Sequence, residues 1–89
     1  MGRRFEGRVA IVTAAGSGIG AATARRLAAE GARVVVADLS ATRARAVADA
    51  IGAPEDRLAW LKMDAAEPAA VEATVELALS RWGRLDVLV

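Results

Sequence analysis

An alternation between two kinds of segment constrains the fold more than any other feature. Continuous apolar runs occupy Arg8–Thr13, Arg33–Asp38, Leu58–Met63 and Leu85–Val89. They do not alternate apolar with polar residues, the pattern of strands covered on both faces of a parallel sheet. Three segments with helical periodicity lie between them. The first spans Gly18–Glu30 and is closed by Gly31, where a left-handed cap is wanted. The second follows Ser40, a good N-cap, and aligns Ala44, Val47, Ala48 and Ile51 before Gly52 and Pro54 stop it. The third starts near Pro68, suited to a first helical position, and aligns Val71, Val75, Ala78, Leu79 and Trp82 ahead of Gly83. Glu67 caps poorly, so this helix has the weakest start signal.

The order β-α-β-α-β-α-β is that of a doubly wound α/β sheet. Right-handed crossovers from strand 1 to 2 to 3 put the first two helices on one face. With strand 4 beside strand 1, the third helix covers the other face and the strand order is 3-2-1-4. Ligands bind beyond the carboxyl ends of such strands, at the switch point between strands 1 and 4. The glycines at 16, 18 and 20 follow strand 1 and fall there.

Composition narrows the class. A chain of 89 residues makes one small domain. With 55% hydrophobic and 26% charged residues it is no disordered tail. A net charge of +1 with interspersed signs argues against nucleic-acid or membrane-surface partners. Arg3, Arg4 and Arg8, diluted by Glu6, read as a solvated N-terminal arm. Cysteine and histidine are absent, which removes disulfides, thiolate nucleophiles and the commonest metal ligands. The Val9–Val12 run falls short of the roughly 7–15 apolar residues of a signal-peptide core. Glu6 stands where a myristoylation motif wants Ser or Thr, and no segment approaches the roughly 20 apolar residues of a membrane span. The expectation is a soluble, cytoplasmic protein.

A glycine loop between a buried strand and a helix does three physical jobs. It takes positive φ without steric cost, lets a ligand approach the backbone, and lets the helix pack close to the sheet. Free N–H groups at the helix start then favour a phosphate. Packing alone also accounts for such loops. The added feature is Asp38, ending strand 2 at 18 residues beyond Gly20. An acidic residue at about that spacing accepts hydrogen bonds from an adenosine ribose. Asp38 also serves as an N-terminal charge for the next helix, beside Ser40, and the two roles are compatible. A carboxylate there repels a 2′-phosphate, and the neighbours Ser17 and Leu39 are uncharged. Arg43 and Arg45 are expected on the second helix, facing solvent. NAD is therefore favoured over NADP.

The stretch "TAAGSGIG" (Thr13–Gly20) resembles the T-G-x-x-x-G-x-G loop of the short-chain dehydrogenase/reductase family. "VVVADLS" on strand 2, "KMDAAEP" after strand 3 and "GRLDVLV" on strand 4 extend the resemblance over essentially the whole chain. It implies a Rossmann-like fold and a cofactor loop containing Thr13, Ala14, Gly16, Ser17, Gly18, Ile19 and Gly20. Ser17, Gly18 and Ile19 would line the pyrophosphate and Asp38 would hold the adenosine ribose. Asp64 and the backbone of Ala65 would flank the adenine, although Asp64 also suits an N-terminal charge for the third helix. Gly16, Gly18 and Ala21 fit a G-x-G-x-x-A frame as well; the first frame is preferred because Thr13 ends the strand directly. The family usually has glycine where this chain has Ala14. An alanine is tolerable there if residue 14 keeps a negative φ.

The family's chemistry comes from Ser, Tyr and Lys in a Y-x-x-x-K arrangement, with an Asn assisting. This chain has no tyrosine, and its single lysine, Lys62, sits on strand 3. Ser40 and Ser80 are explained as cap and helix surface. The resemblance thus implies that residues 1–89 are the N-terminal, dinucleotide-binding half of an NAD-dependent oxidoreductase acting on an alcohol or carbonyl, with the catalytic half absent. An apolar strand left as a sheet edge at Leu85–Val89 invites pairing, so a homo-oligomer is expected. A free-standing nucleotide-binding or assembly module is the alternative.

Overall fold

The computed structural model describes residues 4–15 and 17–89; Arg3 and Gly16 lie outside them. The elements are β1 (Val9–Val12), α1 (Gly18–Ala29), β2 (Arg33–Asp38), α2 (Ala41–Ile51), β3 (Leu58–Lys62), α3 (Pro68–Trp82) and β4 (Val87–Leu88). A single 3-10 turn, Glu55–Arg57, leads into β3 and had no clear signal in the sequence. All strand pairs are parallel and the order is β3-β2-β1-β4, as expected.

The register explains the continuous apolar runs. Val9, Ala10, Ile11 and Val12 pair with Arg33, Val34, Val35 and Val36. Successive side chains point to opposite faces, so every residue of β1 meets a helix layer. Ala10, Val12, Val34 and Val36 pack with Ala24 and Leu27 of α1 and Ala44 of α2. Val9, Ile11, Val35 and Ala59 pack with Ala78 of α3 on the other face. Both helix assignments follow the right-handed crossovers. The three valines of β2 are fully buried, at roughly 1.5–3 kcal/mol each relative to exposure.

Two local expectations, on α3 and β4, are corrected. On α3, Thr74 is buried and Leu79 is 46% exposed. Thr74 satisfies its hydroxyl by donating to the Ala70 carbonyl at 2.8 Å, so a polar residue takes the inward place. The basic arm is solvated at its arginines, as expected, while its backbone is held to α1. Its Arg4 and Arg8 side chains are exposed, yet the Phe5 N–H donates to the Glu30 carbonyl at 2.9 Å and Phe5 packs against the α1–α2 face. β4 is assigned only to Val87–Leu88, but the Asp86 and Val89 N–H groups donate to the Val9 and Ile11 carbonyls, so the ladder extends beyond it.

Candidate functional site

Local forces shape the turn after β1. The Ala15 N–H donates to the Ala37 carbonyl at 3.0 Å and ties the turn to the end of β2. Ser17 caps α1: its Oγ accepts from the Gly20 N–H at 3.1 Å and donates to the Ala14 carbonyl at 2.8 Å. The Gly18 and Ile19 amides occupy the first helical positions, where no intrahelical acceptor exists. The first turn carries no acidic side chain, so the positive end of the helix dipole is uncompensated.

The two described glycines of this loop do different work. A Cβ on Gly20 would lie 2.2 Å from the Ala14 carbonyl oxygen and 3.0 Å from the Ala15 Cα. Gly20 therefore lets the helix pack onto the turn. A Cβ on Gly18 would meet nothing within 4 Å, and Gly18 has no positive φ. Among the described residues nothing requires glycine at 18. Ala14 has φ 53, the left-handed region. The condition of a negative φ at residue 14 is not met, because the turn needs a left-handed residue here and the chain supplies an alanine.

Asp38 ends β2 with its carboxylate buried; Oδ2 accepts from the Ser40 N–H at 2.8 Å and from Arg43 Nε at 3.1 Å. Arg43 is thus not simply solvent-facing, contrary to expectation. Helical side chains lean toward the N-terminus, and Arg43, three residues past the Ser40 cap, leans back onto Asp38. That geometry is the signal that could have revealed it. Arg45 does lie on the exposed face, 3.9 Å from Asp49. At the end of β3 the Met63 N–H donates to the Asp38 carbonyl at 2.7 Å. Asp64 Oδ1 accepts from the Ala66 N–H at 2.9 Å, which orders the turn ahead of α3.

These elements enclose one cleft of about 480 Å³, lined by Ala14, Ser17, Asp38, Leu39, Arg43, Met63, Asp64 and Ala65. It runs from the carboxyl end of β1 across β2 to β3. Of the candidates, Ala14, Ser17, Asp38, Asp64 and Ala65 line it together. Gly18 and Ile19 adjoin it at the start of α1, Ile19 with 85% of its surface exposed. Gly20 is buried beneath the turn, and Gly16 lies outside the described residues. Thr13 is turned elsewhere: its Oγ1 donates to the Val89 carbonyl at 2.7 Å and joins β1 to β4. Leu39, Met63 and Arg43 were not anticipated as lining. The arrangement offers amides and a dipole to an anion, a carboxylate to hydroxyl groups, and an apolar floor to a flat ring.

The clearest electrostatic perturbation lies at the other end of β1. Asp86 accepts from both Arg84 Nε and Nη2 and from the Val9 N–H at 2.8 Å. The Arg84 hydrogen bonds, then that of Val9, hold its carboxyl below the usual carboxylate range. This cluster fastens β1 to the approach of β4 and takes no part in the cleft.

Residues 8–89 match the family model described as short chain dehydrogenase. The chain is 47% identical over its whole length to cis-4-hydroxycyclohexanecarboxylate dehydrogenase of Sinomonas cyclohexanicum, covering 35% of that protein. It is 44% identical over 98% of its length to cyclohexanol dehydrogenase of an Acinetobacter species, again covering 35% of the relative. Among solved structures, a short-chain dehydrogenase/reductase of Brucella melitensis, described as a glucose/ribitol dehydrogenase, superposes with a TM-score of 0.91 at 40% identity. That match covers 99% of this chain and 37% of the other. The chain therefore spans about a third of the length of the proteins it matches.

Proposed function

This chain belongs to the short-chain dehydrogenase/reductase family, and from that premise we propose that it forms the adenosine- and pyrophosphate-binding half of an NAD-dependent oxidoreductase. The observation that carries the proposal is the convergence of Asp38, Asp64 and the capped start of α1 on one cleft. Gly18 supports it from a second direction. Neither φ nor packing calls for glycine there, so its bare backbone suits a ligand that comes within contact distance of the amide. The residues present thus fit a dinucleotide.

The roles follow from the chemistry of each group. The Gly18 and Ile19 amides face the pyrophosphate, with the α1 dipole adding attraction. Ser17 holds the loop in shape through its two local bonds. Asp38 accepts from the adenosine ribose, and Asp64 and Ala65 flank the adenine. A bound nicotinamide supplies hydride transfer to or from an alcohol or carbonyl carbon. The family resemblance implies that a tyrosine and a lysine handle the accompanying proton, and residues 1–89 contain no tyrosine. Asp38 also disfavours a 2′-phosphate, which is the basis for NAD. Cytoplasmic residence and a homo-oligomeric whole enzyme complete the reading.

Calorimetric titration tests it. NAD and ADP-ribose are expected to bind with similar affinity, since both carry the adenosine half, and Asp38→Asn is expected to weaken both by about tenfold. Absence of binding by either ligand to the unsubstituted protein would overturn the proposal.

A further inference from the structure

Among the described residues Ala14 is the only non-glycine with a positive φ, 53°. An L-residue is strained in that region because its Cβ crowds the following carbonyl oxygen. Three hydrogen bonds keep Ala14 there. Its carbonyl accepts from the Ser17 N–H at 3.0 Å and from Ser17 Oγ at 2.8 Å. The next residue, Ala15, donates its N–H to the Ala37 carbonyl at 3.0 Å. Ala14 is exposed and lines the cleft. With its carbonyl committed, what it presents there is its methyl group, its Cα and its N–H. Strained backbone that its surroundings hold in place beside a ligand site is a pointer to function.

The place of that methyl along the cleft decides what it does. Asp38 ends β2 on one side of the turn, and the Gly18 and Ile19 amides open α1 on the other. A ligand that engages both the carboxylate and the amides has to cross the turn that carries Ala14. We infer that Ala14 is an affinity-limiting residue, whose fixed methyl holds a sugar–phosphate linkage off the turn and so weakens any nucleotide spanning Asp38 and the start of α1. The inference rests on the nucleotide-binding reading above and deepens it. A bare nucleoside at Asp38 does not have to cross the turn and escapes the obstacle. The Ser17 bonds brace the turn whatever side chain residue 14 carries, so removing the methyl opens space without loosening the loop.

The experiment compares ADP-ribose with adenosine by calorimetry on the unsubstituted protein and on the variants Ala14→Gly and Ala14→Asn. Glycine removes the methyl. Asparagine tolerates the left-handed region, so it relieves strain while adding bulk. Ala14→Gly is expected to bind ADP-ribose about tenfold more tightly, as relief of one overpacked contact implies, and adenosine within about twofold of the unsubstituted protein. Ala14→Asn is expected to bind ADP-ribose more weakly than the unsubstituted protein. Measuring both ligands on one preparation cancels any change in the folded fraction. Tighter binding of ADP-ribose by both variants would overturn the inference, because strain rather than bulk would then limit affinity. Unchanged ADP-ribose affinity in Ala14→Gly would overturn it too, as would an equal gain for adenosine. Absence of binding by either ligand to all three proteins would instead bring down the nucleotide-binding reading on which the inference stands.

Discussion

Two alanine substitutions, two residues apart at the start of α1, are expected to act in opposite directions on stability and so separate packing from ligand approach. In Gly20→Ala the new methyl would stand 2.2 Å from the Ala14 carbonyl oxygen, 2.8 Å from the Ala14 carbonyl carbon and 3.0 Å from the Ala15 Cα. All three are backbone atoms, and the turn holding them is tied to β2 through the Ala15–Ala37 hydrogen bond. Relief requires the helix or the turn to shift by roughly an ångström, so the cost belongs at the upper end of the 1–3 kcal/mol typical of overpacking, about 3 kcal/mol. In Gly18→Ala the methyl enters open space at a residue without positive φ. The smaller entropy of the unfolded chain is then expected to stabilise the fold by about 0.5 kcal/mol. Nucleotide affinity should nevertheless fall at least about tenfold, since the methyl stands between the amide and an approaching phosphate. Urea denaturation reads the first quantity and calorimetry with ADP-ribose the second. A Gly18→Ala protein that binds ADP-ribose as tightly as the unsubstituted one would refute the reasoning about bare backbone. A Gly20→Ala protein of unchanged stability would refute the reasoning about packing.

Other substitutions probe the surrounding framework. Ala14→Gly is expected to raise stability by about 0.5–1 kcal/mol, because the left-handed cost to alanine exceeds glycine's extra unfolded entropy; thermal melts check it. Ser17→Ala removes the α1 cap and should cost about 1 kcal/mol in the same assay. The carboxyl of Asp86 titrates below its unfolded value, held there by Arg84 and the Val9 N–H. Its stabilising contribution is therefore complete above the ordinary carboxylate range and disappears as pH falls through the folded pKa. Urea midpoints followed from neutral pH into acid should decline more steeply for the unsubstituted protein than for Asp86→Asn. Equal slopes would show that the cluster joining β1 to β4 contributes nothing to acid sensitivity.

The sheet was legible because its signals are local and redundant. Each strand is an unbroken apolar run, each helix ends at a glycine or a proline, and the handedness of crossovers leaves little choice in how they assemble. Gly52 and Gly83 both adopt the left-handed conformation expected of helix-ending glycines. The acidic candidates could be placed as well, since Asp38 and Asp64 follow directly from where β2 and β3 end. What escaped depends on contacts that periodicity does not encode. Thr74 reads as polar, yet it is buried because its own helix satisfies the hydroxyl. Thr13 sits in the loop motif, but its hydroxyl finds a partner on β4 rather than in the cleft. The backbone conformation of Ala14 follows from how the turn must bend to pass between α1 and β2, not from the residue's own preference. Arg43 escaped because a long side chain chooses between solvent and a neighbouring carboxylate according to where the helix start points it.

Amide chemical shifts during titration with ADP-ribose examine the central claim residue by residue. The expected result is that the largest changes fall on Gly18, Ile19, Leu39, Asp64 and Ala65, with Gly52–Leu58 unmoved. Changes confined to β4 or to the far end of the sheet, with the start of α1 silent, would contradict it.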